Sequence, residues 1–330
     1  MKMAMTKFMY MMIFCLSTSI EATEMWRSML DSIDSIMDIT EMSDTQDCSS
    51  VRFYVSTRSN NYKTVEVWTG DWRSLSFAGL NRDERKVVLV HGFSNNHSSP
   101  AMETLKEGIR GRSISYIGVD WSVIAITVNY PFVASKVRAI GYCLADFLYF
   151  LISETAIRLN NLHLVGHSLG AHVSGFAGKR FQEEYDLKLY RITCLDPAGP
   201  LFNYNKPTAR LDRTDADVVD CILSTRYLYG HIKLIGTANF IVNGGTVVQP
   251  PCKWEDFRTA YFCSHVSVVK YFNSSCDDWN IFEAESCYDR NGVERNCNGA
   301  RMGFPASRYP TFHEMHLEVN KDYPYAKEEW

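Results

Sequence analysis

The sequence predicts an α/β fold, with a central, mostly parallel sheet covered by helices on both faces in a single domain. Three observations predict it. Continuous apolar runs at Val87–Val90, Val123–Val128, Leu162–Val165 and Tyr190–Leu195 have the texture of strands buried on both faces. Helical patterns over Met102–Arg110, Ala134–Ile157 and Ser168–Phe181 are interleaved with them, and alternating strands and helices imply parallel strands joined by crossovers. Finally, Leu162–Gly170 runs from apolar residues into a Gly-x-Ser-x-Gly pentapeptide, and the small residues Ala171–Gly178 follow, which reads as strand, sharp turn and close-packed helix.

Residues 1–22 read as a secretory signal peptide. Lys2 and Lys7 precede the apolar run Phe8–Leu16, and the small-residue stretch from Ser17 ends at Ala22, a cleavage site. The run is shorter than the roughly 20 residues of a spanning helix, so a secreted, extracellular protein is expected rather than an anchored one. Residues 23–47, with Met and Ile at loose helical spacing among Ser, Asp and Thr, read as a pro-segment or mobile N-terminal extension. The folded domain is expected over 48–330. It opens with Val51–Thr57 and Thr64–Trp68, which alternate as half-buried antiparallel strands do. A formal charge of −4 and the lack of a basic cluster give no electrostatic case for nucleic acid, so any contact with lipid would be mainly apolar.

The pentapeptide carries chemistry. A serine hydroxyl is a poor nucleophile at neutral pH; it acts when exposed on a tight turn, near a histidine and beside donors for a developing oxyanion. Ser168 occupies such a turn, and Gly166 and Gly170 are expected to let the backbone take its strained conformation and to let strand and helix pack closely around it. In this architecture the acid and then the base follow on loops after later strands. Asp196, at the end of Tyr190–Leu195 and before Pro197, is the acid. His265 is the base, since Cys263 and Ser264 lead into it and an apolar helical pattern through Val269 and Phe272 follows. His163, His167, His172 and His231 precede or sit within other elements, and His313 and His316 lie in the tail. The oxyanion donors fall on the amide after the nucleophile, Leu169, and on Phe93, which follows the strand Val87–Val90 and the turn His91-Gly92.

Of ten cysteines, Cys15 falls in the leader, and the odd remainder leaves at least one thiol unpaired. None shows the Cys-x-x-Cys spacing of a zinc site, so disulfides are expected in an oxidising compartment. Cys252 with Cys263 and Cys287 with Cys297 would each close a small loop. The pairing of Cys48, Cys143, Cys194, Cys221 and Cys276 stays open, and Cys194, in a strand, reads most simply as a buried hydrophobe.

Gly166–His172, His91-Gly92-Phe93, Val119-Asp120-Trp121, Leu195–Pro200 and Cys263-Ser264-His265, with Asn243-Gly244-Gly245 and Met302-Gly303-Phe304, together resemble the pancreatic-lipase family from about Val51 onward. The resemblance implies an α/β-hydrolase fold, a Ser168-Asp196-His265 triad and oxyanion amides on Phe93 and Leu169, in agreement with the residues themselves. It implies the catalytic domain alone, without the C-terminal β-sandwich of members that act with a protein cofactor. In the family a disulfide-closed lid covers the site and a second loop lines it; both are long in triglyceride lipases and short in phospholipases A1. Here the lid would be the ten residues Lys253–Phe262 and the second loop Leu223–Val242, both short, as in insect phospholipases A1, those of wasp venoms included. Trp254, Phe257, Tyr261 and Phe262 would contact acyl chains or the interface.

The expected activity is hydrolysis of the sn-1 ester of glycerophospholipids through an acyl-enzyme, by a monomer working at a membrane or micelle surface without a cofactor. The alternatives are a triacylglycerol or galactolipid lipase and a non-catalytic lipid-binding homologue; the presence of Ser168 weighs against the latter. Two positions depart from the family pattern. Leu223-Ser224 replaces the usual His-Thr, and Arg210–Asp215 resembles a calcium loop but has Pro207 where a carboxylate ligand is expected, so no metal is predicted. Asn96 and Asn273 begin glycosylation sequons.

Overall fold

The computed structural model describes residues 47–154, 156–226, 228–246, 248–252, 257–288, 294–306 and 313–327. The expected signal peptide, residues 23–46 of the extension and the lid residues Lys253–Asp256 lie outside them. The strands are β1 (Arg52–Ser56), β2 (Val65–Val67), β3 (Lys86–Val90), β4 (Ser115–Asp120), β5 (Leu162–His167), β6 (Leu189–Leu195), β7 (Ala216–Leu223), β8 (Ala238–Val242), β9 (Glu283–Tyr288), β10 (Glu294–Arg301) and β11 (Glu314–Leu317). The helices are α1 (Trp72–Ala78), α2 (Pro100–Gly111), α3 (Ser122–Ala125), α4 (Tyr130–Ser153), α5 (Leu169–Tyr185) and α6 (Phe257–Ser274).

All these strands form one sheet in the order β10-β9-β11-β8-β7-β6-β5-β3-β4-β1-β2. From β4 to β11 every pairing is parallel, and the antiparallel pairs β1–β2 and β9–β10 border that block. Because successive side chains point to opposite faces, each central strand feeds two cores. Val88, Val90, Leu164 and Ile192 pack on the face covered by α4 and α5; Val87, Leu89, Val165 and Leu195 pack on the face covered by α2 and α6. That double burial is why these strands read as largely apolar runs, and the expected fold class is what the chain adopts.

One expected strand is not there. Val123–Val128 is the short helix α3 and the turn after it, and the strand is β4, whose Ser115, Gly118 and Asp120 dilute its apolar signal. The Ser122 amide donates to Asp120 Oδ1 at 2.9 Å and starts the helix there, leaving Val123, Ile126 and Val128 in solvent. Two further boundaries move. Helix α6 starts about two turns before His265 rather than after it, and β8 claims Ala238–Val242, which confines the loop after β7 to residues 224–237.

Cys252 and Cys263 are disulfide-bonded as expected. Cys48 bonds Cys143, tying the start of the domain to α4. Cys194 is a correction: it is not a lone buried hydrophobe but bonds Cys221, its direct register partner on the neighbouring strand. Cys276 is free and buried. Cys287 and Cys297 lie on the two arms of the β9–β10 hairpin, and their side chains are outside those described. Below the Cys194–Cys221 bond, buried Arg191 makes a two-pronged ion pair with Asp220 (2.8 and 2.9 Å) and donates to the carbonyls of Gly303 and Phe304. A guanidinium fork suits this double duty, and it fixes the Met302–Phe304 segment to the central sheet.

Candidate active site

The elbow forms where β5 ends and α5 begins. Ser168 itself carries the strain, at φ 56° and ψ −120°; Gly166 and Gly170, neither of which has a positive φ, let strand and helix pack closely around it, as expected. A Cβ at Gly170 would stand 2.2 Å from the Val90 carbonyl oxygen, and one at Gly166 would stand 2.3 Å from the Gly170 carbonyl. Backbone bonds fix the turn: Ser168 donates to the Leu195 carbonyl (3.0 Å) and accepts from the amides of Ala171 and Ala198 (3.1 and 3.3 Å). The serine is thus pinned by its main chain, with its side chain presented at the carboxyl end of the sheet.

Asp196 emerges beside it at the end of β6, in the left-handed region at φ 44°. Its carboxylate is buried and fully solvated by protein donors. Oδ1 accepts the amides of Ser224 (2.9 Å) and Thr225 (3.0 Å); Oδ2 accepts the Thr225 hydroxyl and His265 Nδ1–H, the latter at 2.6 Å. Burial alone would push this carboxyl upward, but the hydrogen bonds from His265 and Thr225 outweigh it and hold Asp196 below its ordinary value. His265 comes from the third turn of α6, close to the Cys252–Cys263 bond. Its ring centroid lies 5.3 Å from that of Tyr229. His167 joins this pair to the elbow, its Nε2–H donating to the His265 carbonyl at 3.0 Å with the two rings 4.7 Å apart. Burial, then the neighbouring His265, push His167 down to about 3, so its ring is neutral.

The two residues whose amides are the expected oxyanion donors both lie next to the elbow in the chain or in space. Leu169 opens α5, where first-turn amides have no intrahelical acceptor. Phe93 follows Gly92, a residue so near the elbow that a Cβ there would stand 2.8 Å from Ser168 Cβ. The Phe93 amide has no backbone acceptor among the described residues. Its segment is held by the Val119-Asp120-Trp121 motif. The Trp121 amide donates to His91 Nε2 (3.1 Å), the Trp121 indole to the His91 carbonyl (3.0 Å), and the His97 amide to Asp120 Oδ2 (3.2 Å).

Each histidine passed over as base has a structural partner. His163 meets the Thr193 hydroxyl, His172 the Ala198 carbonyl and the Leu211 amide, and His231 the carbonyls of Phe202 and Lys233. The calcium-like loop is equally committed: Lys179 pairs with Asp215 at 2.5 Å and Arg210 with Asp212 at 3.1 Å, so protein cations face both carboxylates. Thr225 is the functional residue that sequence reasoning missed. The departure in the second loop falls on Leu223-Ser224, so Thr225, the next residue, carries no signal of its own.

Residues 28–325 match the family model described as Lipase. The chain belongs to the lipase family. Among its lipase relatives, Lipase member H of Oryctolagus cuniculus is 36% identical over 265 residues, covering 78% of this chain and 56% of the relative. Phospholipase A1 of Vespa velutina is 34% identical over 239 residues, 67% of this chain and 75% of the relative. Pancreatic triacylglycerol lipase of Homo sapiens is 30% identical over 288 residues, 78% of this chain and 59% of the relative. The chain therefore spans little more than half the length of Lipase member H and of the pancreatic lipase, and its lipase-family match accounts for the α/β-hydrolase architecture of the sheet.

The Thr225 hydroxyl offers a specific test. Thr225→Val removes one donor from a buried carboxylate, a bond worth about 1.5–3 kcal/mol, and is expected to lower kcat roughly tenfold. With a donor lost, the Asp196–His265 pair holds its proton more tightly, so the acid limb of kcat/KM should move to higher pH. Thr225→Ser should restore both. A pH–rate profile of the three proteins on a soluble ester checks this; an unshifted acid limb in Thr225→Val would refute it.

Proposed function

We propose that this protein is a secreted carboxylic ester hydrolase acting as a phospholipase A1, with Ser168 as nucleophile, His265 as general base and acid, Asp196 as its orienting acid, and the amides of Phe93 and Leu169 as oxyanion donors. His265 takes the Ser168 hydroxyl proton as Oγ attacks the ester carbonyl, and the two amides stabilise the charge that develops on the carbonyl oxygen. The ester C–O bond breaks, His265 passes its proton to the leaving alcohol oxygen, and the acyl group stays on Ser168. Water, deprotonated by His265, then attacks the acyl-enzyme; the fatty acid leaves and Oγ regains its proton. Asp196 holds the His265 tautomer in which Nε2 is free to accept, because Nδ1–H is committed to the carboxylate.

The observation that carries the phospholipid reading is the lid. The Cys252–Cys263 bond closes only ten residues, and Phe257–Phe262 are already turns of α6, so most of the segment is helix rather than free flap. Within it Tyr261 is buried against Tyr229, and Phe262 is exposed. Such a cover has too little apolar surface to bury an acyl groove, leaves the mouth in contact with water, and tolerates a charged headgroup at the rim. Similarity to Phospholipase A1 of Vespa velutina supports the same reading; similarity to pancreatic triacylglycerol lipase makes triglyceride hydrolysis the alternative. The test is a steady-state panel of phosphatidylcholine, phosphatidylserine and triolein with product analysis. The expected result is 2-acyl lysophospholipid, with triolein turned over far more slowly. Triolein turnover equal to that of phosphatidylcholine, or release of mainly the sn-2 fatty acid, would reject the proposal.

A further inference from the structure

Strand register places several exposed apolar side chains on the same end of the sheet as the elbow. In β1, Phe53 stands opposite Val67 of β2 on one side and Val119 of β4 on the other, and both pairings are antiparallel. Strands β2 and β4 therefore run the same way. The row continues, since Val119 pairs with Val90 of β3, and Val90 with Gly166 of β5. Across these five neighbouring strands, β2, β3, β4 and β5 thus leave the sheet at the level where β1 enters it, over a row of about 20 Å at some 4.8 Å per strand. Beyond that level β3 leads to Phe93, β5 to Ser168, β2 to Trp68 and Trp72, and β4 to Val123, Ile126 and Val128.

The last five are in solvent: Trp68 is 50% exposed, Trp72 67%, Val123 72%, Ile126 60% and Val128 86%. Clustered exposure of large apolar side chains marks an interaction surface. The segment Trp121–Ser135 contains no charged residue, which is unusual for a surface loop. It is also continuous with the mouth, because the Ala125 carbonyl accepts the Ser94 amide at 2.8 Å and the Tyr130 ring meets Phe93 edge-on at 5.3 Å. Cations stand at its margins. Arg73 is exposed next to Trp72, and the Lys136 ammonium lies 5.6 Å over the exposed Phe132 ring.

We propose that this rim, Trp68 and Trp72 together with Val123, Ile126 and Val128, is a docking surface that inserts shallowly into a phospholipid interface and sets the mouth of the Ser168 site against it. Tryptophans settle at the headgroup level, aliphatic side chains below it, and Arg73 and Lys136 reach phosphates. The inference rests on the lipid-hydrolase reading for its occupant but involves elements other than the lid. Its test requires no turnover, so the two fail separately.

Full-chain Ser168→Ala protein, which leaves lipid intact, is sedimented with phosphatidylcholine vesicles with and without phosphatidylserine. It should bind, and Ile126→Asp/Val128→Asp in the same background should bind at least tenfold less. Because those side chains are in solvent, thermal unfolding should be unchanged. Vesicles of dibromo-phosphatidylcholine should quench the tryptophan fluorescence, and Trp68→Phe/Trp72→Phe should remove most of that quenching. Trp279 follows α6 beside Arg112, at the opposite end of the sheet, and is 90% exposed, so Trp279→Phe should leave quenching unaltered. Vesicle binding insensitive to the aspartates, quenching lost with Trp279 instead, or a lipid-free dimer abolished by the aspartates would each overturn the proposal; the last would make the rim a contact between copies.

Discussion

Ser168→Ala is expected to lower ester turnover by about a million-fold, the loss seen when a triad nucleophile is removed, with the fold unchanged. The elbow is held by main-chain bonds from Ser168 to Leu195, Ala171 and Ala198, none of which involves the hydroxyl. Alanine inherits the same strained φ and ψ at a similar cost, so stability should move by no more than about 0.5 kcal/mol. What disappears is the oxygen that forms the acyl-enzyme. Hydrolysis of a short-chain p-nitrophenyl ester by the purified variant, beside its thermal unfolding curve, measures both. A variant working near the parental rate would end the assignment of the nucleophile.

Asp196→Asn should be the next most severe, at roughly ten-thousand-fold in kcat. The carboxylate offers acceptors on both oxygens, and every donor around it points inward: two amides at Oδ1, the Thr225 hydroxyl and His265 Nδ1–H at Oδ2. An asparagine must aim its NH2 at one of these sets. Aimed at the amides of Ser224 and Thr225, it sets donor against donor in a buried site, which costs about 1–3 kcal/mol for each unsatisfied group. Aimed at His265, it favours the tautomer with the proton on Nε2, where the base must be bare. Both orientations damage the site, so the loss should persist at high pH instead of being rescued by deprotonation. A kcat–pH profile of the variant decides, and full recovery above pH 9 would contradict this account.

The parts of the fold written in unbroken apolar runs were legible, because a strand buried on both faces has no polar position to interrupt it. The Val87–Val90 stretch of β3 is of that kind, whereas His163 in β5 and Arg191 and Thr193 in β6 interrupt runs that stayed legible because the rest of each is apolar. β4 escaped notice since Gly118 sits at its centre and its ends are Ser115 and Asp120, whereas Val123–Val128 has the right composition but faces water. Composition cannot say which apolar run the sheet accepts when two lie so close together. The antiparallel arms of the β9–β10 hairpin carry Glu, Asn and Ser at edge positions and gave no comparable signal.

In the site, Ser168, Asp196 and His265 could be picked from chain order because each sits at a punctuated boundary: an elbow, a strand end before Pro197, and a disulfide-pinned helix. Thr225 could not be picked, because its role exists only where the loop after β7 folds back over the end of β6. Cys194 was misread for the same reason. A cysteine inside a buried strand looks like a hydrophobe until the partner strand's register is known, and that register is a property of the assembled sheet.

The Cys194–Cys221 bond has a mechanical meaning for catalysis. Parallel neighbours can misalign, and a slip of one residue moves a strand by about 3.3 Å while turning every side chain to the wrong face. Asp196 lies two positions beyond one sulfur, and Thr225 four positions beyond the other. Once the bond has formed, the lengths of chain from the link to the acid and from the link to its donors are fixed against each other like two rulers pinned at a common mark. A fluctuation that loosens the loop of residues 224–237 can then move the cradle away from Asp196 but cannot return it to a wrong alignment.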